Sequence, residues 1–347
     1  MAVRIVGIDI GHDRVRAAEV ENPSTDPRVL RYAEAALPEG AARSGEVRDG
    51  KAVADVLKEL WTSAGFSSKK VVLGMGNQRE LVRNLTVPRT PLQTIRESLP
   101  FQVQDLLPVS VSDALLDFYP IAESEGEHGP TVDGLLVAAI RDAVLGNIGA
   151  VRDAGLVPVN VDLIPFALSR LLAPVTLTGT TAVIDVGATT TNVVVVKDGV
   201  PAFVRIIPMG GNDVTAALTT KLSITEDEAE DLKRTIGLKG TSKQQPEAAT
   251  IIRASVQELI ASLRNTLNSY TNSDSNLSGG SYDRIVLTGG GAQLAGFGDL
   301  VETVGGAEVI AGDPFAKVTF AEDLGENGGV DGRQMVVAVG LAIGENS

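Results

Sequence analysis

The sequence predicts an α/β protein built by duplication, with two lobes that each start with a β-hairpin and continue as alternating helices and strands, each interrupted by one inserted segment. Three observations carry this. "VRIVGIDIGHDRVRAAEVE" (residues 3–21) and "TAVIDVGATTTNVVVV" (residues 181–196) repeat one pattern, an apolar-Asp-apolar-Gly turn between apolar runs, the second beginning near the chain's midpoint. Helical and strand periodicities alternate after each copy. Each half breaks that alternation once, at "PRTPLQTIRESLPFQVQDLLPVSVSDALLDFYPI" and at the helical region opening with "TEDEAEDLKRTIG".

In order, the first hairpin is followed by a third strand at "RVLRYAEAALP" and by a helix at "KAVADVLKELWTSAGF", where Val53, Val56, Leu57, Leu60, Trp61 and Ala64 share one face. Strands follow at "KKVVLGMG" and "ELVRNLTVP". The inserted segment opens a helix at Thr90-Pro91, which Pro100 is expected to bend or split, and the polar tract "AESEGEHGP" closes it. A strand "GLLVAAI", a helix "RDAVLGNIGAVRDAGL", a strand "VPVNVDL" and a helix "PFALSRLL" complete the first half. In the second half "GVPAFVRIIP" adds a strand, and Thr225 with Glu228 forms a capping box for a helix ending at Gly237. "KGTSKQQPEA" reads as a flexible link to a long helix striped by Ile252, Val256, Leu259, Ile260, Leu263, Leu267 and Tyr270. A loop "SDSNLSGGSY", a strand-turn-helix unit "DRIVLTGGGAQLAGF" and a closing helix "DGRQMVVAVGLAIG" end the chain.

Composition narrows the chemistry. With 347 residues, 44% of them hydrophobic, the chain can bury the core of two lobes. It has no cysteine and two histidines, His12 and His128, so thiolate sites are excluded and a metal site would be magnesium-like, built from oxygens. A net charge of −14 argues against a nucleic-acid or anionic-membrane binder, which needs clustered Lys and Arg. No apolar run approaches the roughly 20 residues of a membrane span, and "MAVRIVGIDIG" lacks the layout of a secretory signal. A cytoplasmic location is expected.

The repeated turns carry the candidate chemistry. Asp and Gly suit any tight hairpin for backbone reasons alone, but two facing copies could cradle a polyphosphate in backbone N–H groups at Gly11 and Gly187, while Asp9 and Asp185 hold Mg²⁺ largely through water. In "LTGGGAQLAGF", Gly289, Gly290 and Gly291 follow an apolar strand and leave room for a nucleoside against bare backbone, or form an ordinary strand-to-helix turn.

Together these pieces resemble the phosphate 1, phosphate 2 and adenosine motifs of the actin-like ATPase superfamily, and within it the PilM family of type IV pilus assembly proteins. The resemblance spans nearly the whole chain, through "GIDIG", "PLQTIRESLPFQVQDLLPVSVSDALLDFYPI", "VAAIRDAVLGNIGAVRDAGLVPVNVDLIPFALSRLL", "VIDVGATTTNVVVV" and "GGNDVTAALTTKLSITEDEAEDLK". It implies a duplicated actin-like (ribonuclease H-like) fold with four subdomains around a nucleotide cleft. Subdomain 1A would be residues 1–84, 157–178 and 331–347, inserted subdomain 1C residues 85–156, subdomain 2A residues 179–212 and 282–330, and helical subdomain 2B residues 213–281. It implies ATP or ADP with Mg²⁺ as ligands. Besides the residues above, it places His12, Arg16, Thr189, Thr190, Thr191, Asn192, Gly210, Gly211, Gln293 and Leu294 at the nucleotide, with Glu230 and Lys233 lining the ribose and adenine pocket. By spacing alone Glu230 and Lys233 are a surface ion pair on one helical face.

Two departures matter. Where hydrolysing relatives carry a water-positioning Glu or Gln, this chain has Ile164 ahead of Pro165, so hydrolysis is expected to be slow or absent. Where relatives carry small hydroxyl residues and then Lys, it has His12, Asp13, Arg14 and Arg16, with Arg16 standing in as the phosphate contact and Asp13 adding an unfavourable charge.

The resemblance further implies a PilN-like bitopic inner-membrane protein as partner, through its cytoplasmic N-terminal tail. Membrane attachment would then be indirect, and self-association is left open. An FtsA-like division protein and a small-molecule kinase of the same superfamily are the alternatives. The first would add a linker and an amphipathic membrane helix, whereas this sequence stops at "VVAVGLAIGENS", and the second needs a catalytic Asp beyond the metal carboxylates. The insertion is apolar, with Ile95, Leu99, Phe101, Val103, Leu106, Leu107, Leu115, Leu116 and Phe118, and is expected to enclose little core of its own and to offer a peptide groove over residues 85–121.

Overall fold

The computed structural model describes residues 2–127, 129–173, 179–239, 246–273, 279–321 and 332–344. His128 and most of the two expected loops at residues 239–248 and 273–282 lie outside the described residues.

The first hairpin is β1 (Arg4–Ile10) and β2 (Arg14–Glu21), extended by β3 (Arg28–Ala36). A small hairpin, β4 (Ala42–Arg43) and β5 (Glu46–Val47), precedes α1 (Gly50–Ala64). The Asp49 side chain caps that helix by accepting from the Ala52 N–H, Gly65 ends it in the left-handed region, and Val53, Leu57 and Leu60 are buried as their spacing predicts. Then come β6 (Lys70–Met75), the insertion, and β10 (Val157–Leu163) with α4 (Ile164–Leu172). The insertion holds β7 (Leu81–Pro88), α2 (Leu92–Gln102), β8 (Ala114–Gly126) and β9 (Gly129–Ile140), and α3 (Arg141–Asp153) follows it.

The second lobe repeats the plan with β11 (Thr180–Val186), β12 (Thr191–Lys197) and β13 (Val200–Ile207). Helices α5 (Gly211–Leu222), α6 (Glu226–Ile236) and α7 (Pro246–Thr271) follow, then β14 (Arg284–Thr288), α8 (Phe297–Gly305), β15 (Glu308–Ala311), β16 (Thr319–Phe320) and α9 (Val336–Ala342). The capping box of Thr225 and Glu228 is present, and all seven predicted stripe residues of α7 are buried.

The duplication is visible in the sheets. Lobe one runs β10-β6-β1-β2-β3-β16 and lobe two runs β15-β14-β11-β12-β13. In both, the hairpin pair is antiparallel and the strands beyond its first member are parallel. Between the two sheets, α4 and α9 share one core with residues of both lobes, among them Ile5, Val20, Leu168, Val194, Val204 and Val339. The packing there is close. A Cβ at Gly7 of β1 would lie 2.0 Å from the Ala338 carbonyl oxygen of α9, and one at Gly340 would lie 2.5 Å from the Ala167 carbonyl oxygen of α4.

The insertion differs from expectation in four ways. Its three strands pair in the order β7-β9-β8, and the polar tract is the far end of the β8–β9 hairpin rather than a closing loop. Pro100 does not split α2, which continues to Gln102; so close to the C-terminal end it forgoes one intrahelical bond, to the Arg96 carbonyl, with only two helical residues left to follow. Val87, Ile95, Leu99, Val103, Phe118, Val132 and Leu136 form a small core of the unit's own, leaving Phe101 86% exposed and Leu106 38% exposed. Finally, α3, assigned by sequence to residues 85–156, belongs by packing to lobe one: Ala150 and Val151 are buried against the Val53 and Leu57 face of α1. Helix propensity gives no information about which neighbour a helix covers.

A side chain at Gly7 has nowhere to go. Gly7→Ala should lower stability by about 3 kcal/mol or more, measured as a fall in the urea midpoint at unchanged slope.

Candidate functional site

A cleft of about 1160 Å³ opens between the lobes, and the two repeated turns meet at its floor. They are built alike. The Gly11 N–H donates to the Arg14 carbonyl at 2.8 Å, and the Gly187 N–H donates to the Thr190 carbonyl at 2.9 Å. The glycine N–H groups therefore close the turns rather than facing the cleft. Those left without a backbone partner among the described residues are the next two in each turn, His12 and Asp13, and Ala188 and Thr189. The N–H groups open to an anion therefore lie one to two residues beyond the glycines at which they were expected.

Of the predicted nucleotide residues, Asp9, Gly11, His12, Arg16, Asp185, Gly187, Thr189, Thr190, Asn192, Gly210, Gly211, Glu230, Lys233, Gly289, Gly290, Gly291, Gln293 and Leu294 all line this one cleft. Thr191 does not. As the first residue of β12 it is fully buried, and its Oγ1 donates to the Met209 carbonyl at 2.8 Å. A strand turns successive side chains to opposite faces, so the run "TTT" could not present all three hydroxyls to one ligand.

Asp9 and Asp185 end equivalent strands. The Asp9 carboxyl is pushed up from its ordinary value by burial and drawn back by Arg16, whose Nη1 lies 4.0 Å from Asp9 Oδ2. Burial, and then the charge of Asp9, pushes Asp185 up to about 6, against a hydrogen bond from Asn192 and the Arg16 charge. Two buried like charges without full compensation attract a cation, and oxygen donors suit magnesium. Among the described residues no third carboxylate or histidine joins them, which fits an ion that keeps most of its own water. The third motif passes over this pair. Gly289 has φ +93, and a Cβ there would lie 2.7 Å from Asp185 Oδ1, so the strand can cross the carboxylate only as glycine.

The remaining residues have settled partners. Arg16 is anchored by Glu34 at 3.2 Å and by Gln334 Oε1 at 2.9 Å. Lys233 is not a loose surface pair: its side chain is 12% exposed, and its Nζ meets Glu230 at 2.5 Å and donates to Thr215 Oγ1 at 2.8 Å. Burial alone would raise the Glu230 carboxyl, but bonds from Lys233, Thr215 and Arg234 hold it below its ordinary value. This network ties α6 to the first turn of α5. Ile164 lines the cleft against Gly74 and Gly76 and offers no polar atom.

Sequence reasoning missed the wall formed by residues 37–45, where Leu37, Pro38, Gly40 and Ser44 face the cleft. Asn147 of α3 holds this wall by accepting from the Val47 N–H and donating to the Gly45 carbonyl. Its signal was the Pro/Gly/Ser-rich tract "PEGAARSG" between a strand and a helix.

The raised Asp185 has a stability signature in metal-free protein. Because its folded value lies above the unfolded 3.8, stability falls as pH rises from about 4 to about 6 and stays reduced above that. Asp185→Asn should therefore stabilise the metal-free protein at pH 8 by roughly 2–3 kcal/mol, and the gain should vanish near pH 4. Unfolding midpoints across pH measure it.

Comparison with known proteins agrees with this geometry. Residues 7–346 match the family model described as type IV pilus assembly protein PilM. A solved PilM-PilN type IV pilus biogenesis complex contains a chain 29% identical, with a TM-score of 0.84 over 98% of both chains. MreB5 of Spiroplasma citri, solved bound to ADP, superposes with a TM-score of 0.54 over 97% of this chain and 94% of its own at 12% identity, which is a likeness of fold. Cell division protein FtsA of Bacillus subtilis (strain 168) is 29% identical over 194 residues, 50% of this chain. The chain spans under half the length of the curated FtsA relatives it matches, 43% and 33%. With its duplicated actin-like fold, facing hairpin turns and inserted three-stranded unit, the chain belongs to the PilM family of type IV pilus assembly proteins.

Proposed function

We propose that this chain is an actin-like platform for type IV pilus assembly, which holds a magnesium nucleotide between its lobes and recruits the cytoplasmic tail of a PilN-like membrane protein. The observation that carries the nucleotide half is the facing pair Asp9 and Asp185 at the floor of a cleft walled by the two phosphate turns and the Gly289–Gly291 run. When bound, the ion would neutralise phosphate charge. The chain's residues would hold its hydration shell through the two carboxylates, meet the phosphates with the turn N–H groups, and place the nucleoside beside Gly290, Gln293 and Leu294.

The partner half rests on the family and on the likeness to the PilM-PilN complex. Among the described residues no helix is long and apolar enough to cross a membrane; a partner tail bound to the chain would bring it to the inner face of the membrane. The seam between the insertion and lobe one is a reasonable seat. There Tyr119 of β8, 37% exposed, packs against Phe166 of α4 with the rings tilted by 37° and their centroids 5.0 Å apart, and a short peptide could fill a groove or extend a strand edge.

Calorimetry should show magnesium-dependent ADP or ATP binding that falls at least about tenfold when Asp9 and Asp185 are both replaced by Ala; unchanged affinity in that double variant would overturn the assignment. Turnover should lie well below the enzyme median of about 10 per second, since lacking a water-positioning group costs about 10² to 10⁴ in rate. Substitution of Tyr119 by Ala should weaken a synthetic tail peptide, followed by fluorescence anisotropy, while deletion of Ser273–Gly280 should not. Equal peptide affinity in both would move the groove elsewhere.

A further inference from the structure

The two carboxylates are not equivalent, and the residue opposite each in its hairpin makes the difference. Strand register pairs Asp9 with Arg16 and Asp185 with Asn192, the same position in the two copies of the motif. One partner is a cation and the other a neutral amide. Arg16 cannot swing aside easily, because Nε is bound by Glu34 and Nη2 by Gln334, leaving Nη1 toward Asp9. Asn192 is 3% exposed, and its Oδ1 is buried without a hydrogen-bond partner among the described residues. That oxygen sits beside the cleft wall, 3.2 Å from where a Cβ at Gly76 would lie. A buried acceptor left without a donor is rare in folded proteins.

The geometry points to a lopsided metal site. The hydrated cation is held on the Asp185 side, with Asn192 Oδ1 accepting a hydrogen from one of its waters, while Arg16 occupies Asp9 and supplies fixed positive charge toward the phosphates. The assignment rests on the nucleotide reading above. Its physical basis is that a dication and a guanidinium competing for Asp9 repel each other in a site of low effective dielectric, whereas Asp185 has a neutral amide as its register partner and feels the Arg16 charge only as the smallest of the influences on it. Magnesium retains its waters, and those waters need acceptors. Asn192 offers one at the carboxylate that has no cation opposite it. Arg16 is thus a positioning residue for the metal: it decides which carboxylate the ion uses.

The test is a calorimetric titration of the whole chain with ADP at stepped Mg²⁺ concentrations. Asp185→Asn should leave ADP affinity nearly independent of magnesium, within about twofold, while Asp9→Asn keeps most of the dependence. Arg16→Gln should lower the magnesium concentration for half-maximal enhancement about tenfold and weaken ADP binding in chelator. Arg16→Lys, which keeps the charge, should behave like wild type, a rescue that a purely structural role would not show. Asn192→Leu should raise the magnesium midpoint while ADP binding in chelator is retained. Equal losses in Asp9→Asn and Asp185→Asn, or an unchanged or raised midpoint in Arg16→Gln, would overturn the lopsided site even where nucleotide binds. Absence of ADP binding in the wild type would instead overturn the nucleotide reading, and this assignment with it. Thermal unfolding of each variant separates lost binding from lost fold, and the isosteric carboxylate-to-amide pair decides the question if the Asn192 variant does not fold.

Discussion

Everything in this molecule is arranged around a repulsion. Two acidic side chains of a chain already carrying a net charge of −14 are brought into the same buried floor from two different lobes. No hydrophobic argument explains that placement, since burying a carboxylate beside another is unfavourable for the empty protein. The surrounding structure overrides the penalty. Seven-residue strands in register with their partners aim each carboxylate, the turn glycines close behind them, and Gly289 lets a third segment cross within contact distance of Asp185. A site that is destabilising when empty is what a cation-dependent ligand relieves, so the same burial that weakens the metal-free protein strengthens the case for a bound divalent ion.

The aim of those carboxylates depends on the core between the sheets. Helices α4 and α9 pack against both lobes, and their closest approaches run through glycine at Gly7 and Gly340. Because one apolar cluster includes side chains from both sheets, a change in the angle between lobes must repack that cluster rather than slide over a wet interface. The insertion is part of it: Leu135 of β9 is buried in this shared core, with Val82, Ile121 and Val137 packed at its edge. The inserted unit is therefore continuous, by packing, with the core that joins the two lobes behind the cleft.

The hairpins, the capping box, the α7 stripe and the glycine run were legible in the sequence because each is a local signal: a turn residue, a fixed spacing, a period. The duplication was legible because a repeat of an uncommon turn is improbable by chance. What the sequence did not reveal depends on neighbours far along the chain. Thr191 reads like Thr189 and Thr190 until strand pairing turns it inward toward Met209. Helix α3 reads as part of the insertion until it covers α1, and the tract 37–45 reads as a plain loop until Asn147 holds it across the cleft mouth. Lys233 reads as a surface charge until α5 supplies Gly211 and Thr215 as its partners. The three-stranded insertion was obscured by a polar tract whose composition suits a loop, although its pairing makes it a hairpin end.

Two features of the cleft bear on what a nucleotide could do there. The wall at Ile164 is apolar and is packed against Gly74 and Gly76, so that side chain itself offers no polar atom to a ligand or a water. Arg16, meanwhile, has two of its nitrogens committed to Glu34 and Gln334, which holds its charge at the cleft floor. On the proposed reading, a cleft that meets phosphate with a held cation and presents an apolar wall at Ile164 favours retention of the ligand over its consumption. On that reading a bound nucleotide would act as a ligand that biases the lobe angle, and the inserted unit, whose Leu135 shares the core between the lobes, is where a partner would feel that angle.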